Sequence, residues 1–449
     1  MEINEEYEVE ITDIAFGGDG VARLPEGGVV FVPYAALGDR LRVRLTSVRK
    51  TFGYGEILEI LSPGPGRCEP VCKHYGICGG CQYQHIGYEE EIAAKRKQLG
   101  DLLKRIGGFA DLPPIEPCFP APNPYGYRNK FRLEPFERPR VPEEDGEGVR
   151  KVVEYGYYKL DNRSILPIHH CALVCDELNA LLKGALKSDW AKQNARRAEK
   201  DPALMAAAGE EAPAPAKPFK GKGKGPVARR FRETPGALTM RQTSGDKHAF
   251  FFGKAPKNLP WLRETLAGFE YSVPAGSFWQ VNPPVASKVV RTVDEWMREI
   301  PWLTSLVDAY SGVGTFAAAL KSPFVERLLI ESDPEATEAA KLNMGQSGFA
   351  HQIVSETTEK ALPRLLPKFP AATTAVVLDP PRTGCDERVL EALLKSRPRC
   401  IAYVSCNPAT LARDLKRLAA GGYCLKHLAL FDMFPRTAHF ETATFLALE

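Results

Sequence analysis

The chain has 449 residues, 44% of them hydrophobic, and a formal net charge of +3. That length exceeds one ordinary core, so two or three domains are expected, and no run approaches the roughly 18 apolar residues of a membrane span. A near-neutral balance means that any nucleic-acid-binding surface must be local, and the acidic start MEINEEYEVE lacks the basic-then-apolar order of a secretory signal, which makes the cytoplasm the expected compartment.

Residues 1–60 read as a small β-barrel. YEVEITDI, GVVFVPY, DRLRVRLTSV and YGEILEIL are short strand patterns separated by Gly- and Pro-bearing turns. Arg23, Arg40, Arg42, Arg44, Arg49 and Lys50 form either a basic side or a solvated face. Residues 61–270 form a central, β-rich region. It opens with a Cys-, Gly- and Pro-rich stretch over 61–88. A helix follows, with Ile92, Leu99, Leu102, Leu103 and Ile106 at helical spacing and Gly107-Gly108 as its stop. Strands resume over 125–175. Residues 188–236 are rich in Ala, Pro, Gly, Lys and Arg, too poor in large apolar side chains to offset chain entropy, and read as a disordered insertion. Its stretch from Lys217 to Arg232 holds seven basic residues and no acid, the composition of a solvated linker with nonspecific attraction for RNA phosphates. Residues 271–449 alternate strands (SLVDA, RLLIES, AVVLDP, CIAYVSC) with helical stretches, an α/β domain with a largely parallel sheet.

Chemistry concentrates at the ends of those strands. In Asp308-Ala-Tyr310-Ser-Gly312-Val-Gly314, the glycines let the backbone approach a ligand between a strand and a helix. Glu331, 19 residues after Gly312, is placed to accept ribose hydroxyls. This loop alone suits either a dinucleotide or S-adenosylmethionine. Asp379-Pro-Pro-Arg382 decides for the second. The prolines fix the backbone and remove two N–H donors, so the turn directs the Asp379 side chain and nearby carbonyls at the site, an arrangement that hydride transfer has no evident need for.

Cys406 follows the apolar strand Cys400-Ile-Ala-Tyr-Val and precedes Asn407-Pro408, where a following helix offers N-terminal amides to a thiolate. Carbon 5 of uracil is a poor nucleophile until a thiolate adds to carbon 6. A base must then take the carbon-5 proton after methyl transfer, and Glu441 is the candidate, with His439 next. Phe278 or Trp279, beside Gln280, is a candidate to cover an extruded base, with core packing the alternative. Eleven cysteines, clustered in a cytosolic chain, favour metal or catalysis over disulfides. Cys72-x5-Cys78-x2-Cys81 with a distant Cys171 can close a four-thiolate site for zinc or a [4Fe–4S] cluster. Cys68 and Cys175 leave the ligand set open.

With GDGVARL, CGGCQYQH, YRNKFRL, SFWQVNP, DAYSGVGTF, DPPRTG, SCNPATLARDL and FDMFPRTAHFE in one chain, the sequence resembles the S-adenosylmethionine-dependent RNA 5-methyluridine methyltransferases. It is most similar to the branch with an N-terminal TRAM barrel and an iron–sulfur cluster that acts on large-subunit (23S) ribosomal RNA. The resemblance covers nearly all of the chain outside 188–236. It implies Cys406 as nucleophile and Glu441 as base. It implies Gln280, Tyr310, Glu331 and Asp379 around S-adenosylmethionine, and Cys72, Cys78, Cys81 and Cys171 around a [4Fe–4S] cluster, with Cys68 and Cys175 as bystanders. It also implies that the 89–107 helix packs with the Rossmann-like catalytic domain. Ser311 stands where many relatives have cysteine, and HQIVSETTEKAL lacks the Gly-Asp-Ala-Glu run common at that place.

The reading is thus an RNA uridine-5 methyltransferase, monomeric and without a membrane partner. Its rivals are a transfer-RNA enzyme acting on the T-loop, a catalytically silent RNA-binding protein and a nicotinamide-dependent oxidoreductase. Intact Cys406, Glu441 and Asp379 argue against the silent protein, and the SCNP and DPPR elements against the oxidoreductase.

Overall fold

The computed structural model describes the chain except residues 26, 143–148, 188–235, 246, 258, 323 and 449, and between 137 and 153 it describes the backbone only. The 188–236 insertion therefore lies, but for Gly236, outside the described residues.

Six strands build the N-terminal unit: β1 (Glu6–Glu10), β2 (Asp13–Ile14), β3 (Gly20–Arg23), β4 (Val29–Val32), β5 (Arg40–Val48) and β6 (Phe52–Ser62), in the order β1-β5-β6-β4-β3-β2. Strand β5 shows why they form. Leu41, Val43 and Leu45 alternate into the core, while Arg40, Arg42 and Arg44 face outward. The antiparallel register sets Glu10, Glu8 and Glu6 of β1 against Arg40, Arg42 and Arg44 in turn. From β6, Glu59 pairs with Arg42, and Glu56 accepts from Arg44 Nε at 2.9 Å. The arginine stripe, open in sequence between a basic side and a solvated face, is a charge-neutralised ladder.

A long helix, α1 (Tyr88–Arg105), follows. Its buried face is Glu91, Lys95, Gln98, Leu99 and Leu103, whereas Ile106 is exposed and Ile92 and Leu102 are only half-buried. The apolar period thus misplaces the first half of this face. Lys95 Nζ donates to Glu91 Oε1 (2.6 Å) and to Asp432 Oδ1 (2.7 Å), all three side chains fully buried. Three charges can sit there only because each has a partner.

The central unit is a five-stranded sheet, made of β8 (Lys130–Pro142), β9 (Val149–Tyr158), β10 (Ile165–Pro167), β11 (Leu238–Gln242) and β12 (His248–Phe252), in the order β10-β9-β8-β11-β12. Helix α2 (Asp176–Lys187) covers it through Leu178 and Leu182. The preceding strand, β7 (Ile115–Phe119), leaves this unit and joins the catalytic sheet. So does the packing of the hairpin β13 (Leu262–Leu266) and β14 (Phe269–Val273), whose Leu266, Tyr271 and Val273 enter the catalytic core.

The catalytic unit comprises α3 (Pro283–Arg298), β15 (Ser305–Ala309), α4 (Thr315–Ala319), β16 (Glu326–Glu331), α5 (Pro334–Ser347), β17 (His351–Ser355) and α6 (Thr358–Leu365). It continues with β18 (Thr374–Leu378), α7 (Glu387–Ser396), β19 (Cys400–Ser405), α8 (Pro408–Ala420), β20 (Tyr423–Phe431) and β21 (Glu441–Leu448). The eight-stranded sheet runs β17-β16-β15-β18-β19-β21-β20-β7, parallel from β17 to β19 and antiparallel at β21. Its central strands are apolar on both faces, as a sheet covered by helices requires. The chain leaves β15 toward β16 on one side and returns as β18 on the other. That makes the carboxyl ends of β15 and β18 the switch point where ligands bind in such sheets. Helix α1 packs against α8 through Leu99 and Leu103. Among the described residues no helix is long and apolar enough to cross a membrane.

Candidate active site

The switch point gathers acids. Asp308, the fourth residue of β15, is fully buried; one oxygen accepts from the Ala317 N–H (2.9 Å) and the other, Oδ1, has no partner among the described residues. Burial pushes its carboxyl up to about 7, and the nearby Asp379 and Glu331 charges add to this. Asp379, just beyond β18, is likewise raised by burial to about 7.

Around the loop, Tyr310 and Gly312 take left-handed backbone (φ 66° and 56°), and a side chain added at Gly312 would enter open space. The Gly312 N–H donates to Glu331 Oε2 (2.8 Å), while Glu331 Oε1 accepts from the Ser332 and Asp333 N–H groups (both 2.7 Å). Glu331 is thereby locked to the loop that it serves. Tyr310 goes elsewhere: its ring packs on the other face of the sheet, beside Cys385, and burial raises its hydroxyl well above the ordinary value.

A cleft beside the loop is lined by Gln280, Thr315, Phe316, Asp379, Met433 and Glu441, among others. The Gln280 side-chain amide makes no hydrogen bond among the described residues. The backbone around it is held by the YRNKF segment: Asn129 Nδ2 donates to the Gln280 carbonyl (3.3 Å) and Lys130 Nζ to that of Ser277 (3.1 Å). Trp279 is 2% exposed and packs on Tyr271, so it belongs to the core; Phe278 is 74% exposed.

Cys406 follows β19, half-buried, one residue ahead of the cap of α8. The Asn407 side chain itself caps that helix by accepting from the Ala409 N–H (3.2 Å). Burial pushes the Cys406 thiol up to about 12; the Glu441 and Asp379 carboxylates raise it too, and only Arg382 opposes them, by its charge and a side-chain hydrogen bond. Glu441, the first residue of β21, is raised well above the carboxylate range by burial and by Asp379, with Arg382 again the opposing charge. Cys406, Glu441, Asp379 and Arg382 thus form one group. His439 lies at its margin, held neutral by burial and by Arg382, Lys95 and Arg128, with its ring pushed down to about 4. Arg382 and Asp308 had no role in the sequence analysis. The signal for Arg382 was present in its place after the two prolines, but a lone exposed arginine announces no partner.

The cysteines near the barrel form a second group. Burial raises all of Cys78, Cys81 (to about 12) and Cys171. Beyond burial, Cys78 is raised by Cys72, Cys81 by Cys171 and Cys78, and Cys171 by Cys72 and Cys78, while half-buried Arg128 opposes the rise at Cys81 and Cys171. Cys68 and Cys175 are engaged elsewhere: the Cys68 thiol donates to the Gln84 carbonyl (3.6 Å) and that of Cys175 to Gln242 Oε1 (2.7 Å). Among the described residues no three His, Cys, Asp or Glu side chains are arranged to hold a single metal ion.

Two stretches of the chain match known families. Residues 365–449 match the family model described as tRNA (Uracil-5-)-methyltransferase, and residues 2–58 match the TRAM domain. An uncharacterized RNA methyltransferase of Gloeobacter violaceus is 35% identical over 96% of this chain and 94% of its own length. One from Nostoc sp. is 33% identical over 99% and 96%. The solved Pyrococcus abyssi tRNA (uracil-54, C5)-methyltransferase, in complex with S-adenosyl-L-homocysteine, shares the fold: TM-score 0.65 at 22% identity, over 98% of this chain and 100% of that one. The chain belongs to the family of TRAM-containing RNA (uracil-5-)-methyltransferases.

Proposed function

We propose that this methyltransferase modifies carbon 5 of a uridine in large-subunit ribosomal RNA through a covalent adduct between Cys406 and carbon 6 of the base. The observation that carries this is the convergence of Cys406, Glu441, Asp379 and Arg382 at the strand ends. S-adenosylmethionine, when bound, supplies an electrophilic methyl group. Gln280, Glu331 and Asp379 fit its binding: Gln280 and Asp379, an unengaged amide and a raised carboxyl, line the cleft, and Glu331 is an acid fixed to the glycine loop. Tyr310 supports the loop from its far side.

The chain's own groups then divide the chemistry. Cys406 gives its proton to solvent, Arg382 stabilises the thiolate, and the C6–S bond forms as the C5–C6 π bond breaks and its electrons move toward the carbonyl oxygen at carbon 4 of the base. Glu441 takes the proton from methylated carbon 5, for which a carboxylate lifted by burial is a strong acceptor. The C6–S bond then breaks and the thiolate leaves. Asp379, between Glu441 and the loop, keeps both steps at one place. Exposed Phe278 is the ring available to cover an extruded base.

RNA contacts of the barrel are assigned away from the arginine ladder. Arg23 and Lys50 are exposed and carry no ion pair among the described residues. They flank Phe31, Phe52 and Tyr54, three rings in mutual contact at 5.6–5.9 Å on β4 and β6, a surface on which bases can stack.

The thiols of Cys72, Cys78, Cys81 and Cys171, linked as neighbours through Cys78 and Cys171, are proposed to hold a [4Fe–4S] cluster. What supports this is that these thiols raise one another's pKa values, which marks them as neighbours, and that four thiolates are the donor set such a cluster takes. Brown, oxygen-sensitive protein from anaerobic purification is expected; a colourless, active protein with stoichiometric zinc would refute it.

RNA carrying 5-fluorouridine tests the central claim. Fluorine cannot leave as a proton, so the full chain should be trapped on it, and Cys406→Ala should not. Undiminished adduct in that variant would sink the nucleophile. A second reading, a transfer-RNA enzyme, is favoured by the likeness of the Pyrococcus tRNA enzyme over 98% of this chain. Mapping 5-methyluridine in a strain lacking the gene separates the two. Loss from large-subunit rRNA supports the first and loss from tRNA the second.

A further inference from the structure

Two loops that lie far apart in sequence are joined directly. The Gln82 and Tyr83 N–H groups both donate to the Arg436 carbonyl (3.0 and 3.1 Å). The Ala438 N–H donates to Gln82 Oε1 (3.0 Å), and Gln82 Nε2 donates to the Gly79 carbonyl (3.2 Å). Tyr75 Oη fixes the Gln82 carbonyl at 2.7 Å. One side-chain amide therefore spans from the Cys78–Cys81 turn to the segment that leads into Glu441.

That segment needs holding. Arg436 has left-handed backbone (φ 66°), which a non-glycine residue adopts only when its surroundings impose it. Its guanidinium, 6% exposed for the residue as a whole, donates to the Ile86 carbonyl (2.9 Å) and to Glu91 Oε2 (3.3 Å), and its N–H to Glu91 Oε1 (2.7 Å). Beyond Ala438, Phe440 packs edge-on to Phe16 of the barrel, and Glu441 follows at the start of β21. Arg436 is thus anchored to α1 and Phe440 to the barrel. Between them, the Ala438 N–H is held by the Gln82 side chain.

We propose that Gln82 is a positioning residue for the proton-abstraction step: through Ala438 it sets where Glu441 stands over carbon 5. This rests on the assignment of Glu441 as the base. It gives the cysteine loop a role in turnover, because whatever orders Gly79 orders the far end of the Gln82 amide. A base misplaced by a fraction of an ångström affects the step that it performs and not the earlier attack by Cys406.

The test compares Gln82→Ala, Gln82→Glu and Glu441→Gln in the full chain. Each is assayed for turnover on uridine RNA, for adduct formation on 5-fluorouridine RNA, for methylated covalent complex at steady state and for melting temperature. Gln82→Ala should lower kcat by roughly five- to tenfold, the worth of one buried hydrogen bond. KM for RNA should stay within about twofold and the 5-fluorouridine adduct should form at the normal rate, while methylated covalent complex accumulates. Gln82→Glu keeps an acceptor for Ala438 and should restore most of the turnover. Normal turnover of Gln82→Ala would overturn the proposal. So would an equal loss in turnover and adduct formation that Gln82→Glu does not rescue, since that marks general disruption. Accumulation in Glu441→Gln but not in Gln82→Ala overturns the tether alone. Accumulation in Gln82→Ala but not in Glu441→Gln overturns the base assignment and leaves Gln82 positioning another group of the same loop. Accumulation in neither overturns both.

Discussion

The catalytic group and the cysteine group use the same physics toward different ends. In both, burial holds a thiol far above its ordinary value, at about 12 for Cys406 and for Cys81. The catalytic group stands on strand ends of a parallel sheet whose hydrogen bonds do not depend on it. The cysteine group stands in turns, where its backbone is tied by single bridges such as Cys78 to Lys159. A reactive group needs a scaffold that is indifferent to its state. A structural group can be the scaffold.

Replacing one member of each group should break the symmetry most sharply. Cys406→Ala should lose turnover by on the order of 10^3-fold or more, with an unchanged melting temperature. Cys78→Ser should do the reverse on the proposal that these thiols hold a cluster, lowering the melting temperature and chromophore content while the surviving folded fraction still traps 5-fluorouridine RNA. A Cys78→Ser protein of normal stability would place the group outside the architecture.

Arg382 sharpens the comparison next. It is the cation that opposes the carboxylates at Cys406, so Arg382→Ala should raise the thiol further and slow adduct formation by about tenfold at neutral pH, one pKa unit's worth. Since the wild-type thiol already sits near 12, the adduct rate should climb with pH through 7–9 in both proteins, without a plateau. A plateau near pH 7 would mean that bound RNA or cofactor resets the thiol.

Asp379 makes a smaller, thermodynamic difference. Its folded-state value of about 7 lies above the ordinary 3.8, so the folded protein binds the proton more tightly. The resulting stability is present below pH 4 and is lost as pH rises through 7. Asp379→Asn should therefore gain on the wild type by ~1–2 kcal/mol between pH 5 and 8, less than the full shift implies because the side chain is partly open to water. Parallel melting curves across that range would refute it. The least effect belongs to the arginine ladder. Arg42→Ala with Arg44→Ala should change RNA affinity by less than about twofold, because both cations are already paired and exposed. Lys50→Ala with Tyr54→Ala should weaken binding more.

The catalytic half was legible because its chemistry sits where periodicity ends. SLVDA, AVVLDP and CIAYVSC each announce a strand, and the first polar residues after them are the site. Arg40, Arg42 and Arg44 left two readings open because register is a long-range property. Nothing near Arg42 in sequence says that Glu8 and Glu59 lie across from it. Helix α1 misled for a related reason. Its apolar period passes over Glu91 and Lys95, whose partners Asp432 and Arg436, more than 300 residues later, make their burial possible. Strand β7 and the β13–β14 hairpin were illegible as parts of the catalytic packing, since a short apolar run carries no address.

The Lys95–Asp432 contact also has a consequence in time. Its partners are 337 residues apart, and a ribosome adding ~5–20 residues per second makes the first roughly 20 s to a minute before the second. Strand β7 likewise pairs with β20, which is made some 300 residues later. Through that interval α1 exposes a face meant for a domain not yet synthesised, with Glu91 available to hold Lys95 as an ordinary helical pair. Nascent-chain proteolysis should find the barrel protected early, and α1 and β7 only after residue 432 has left the exit tunnel.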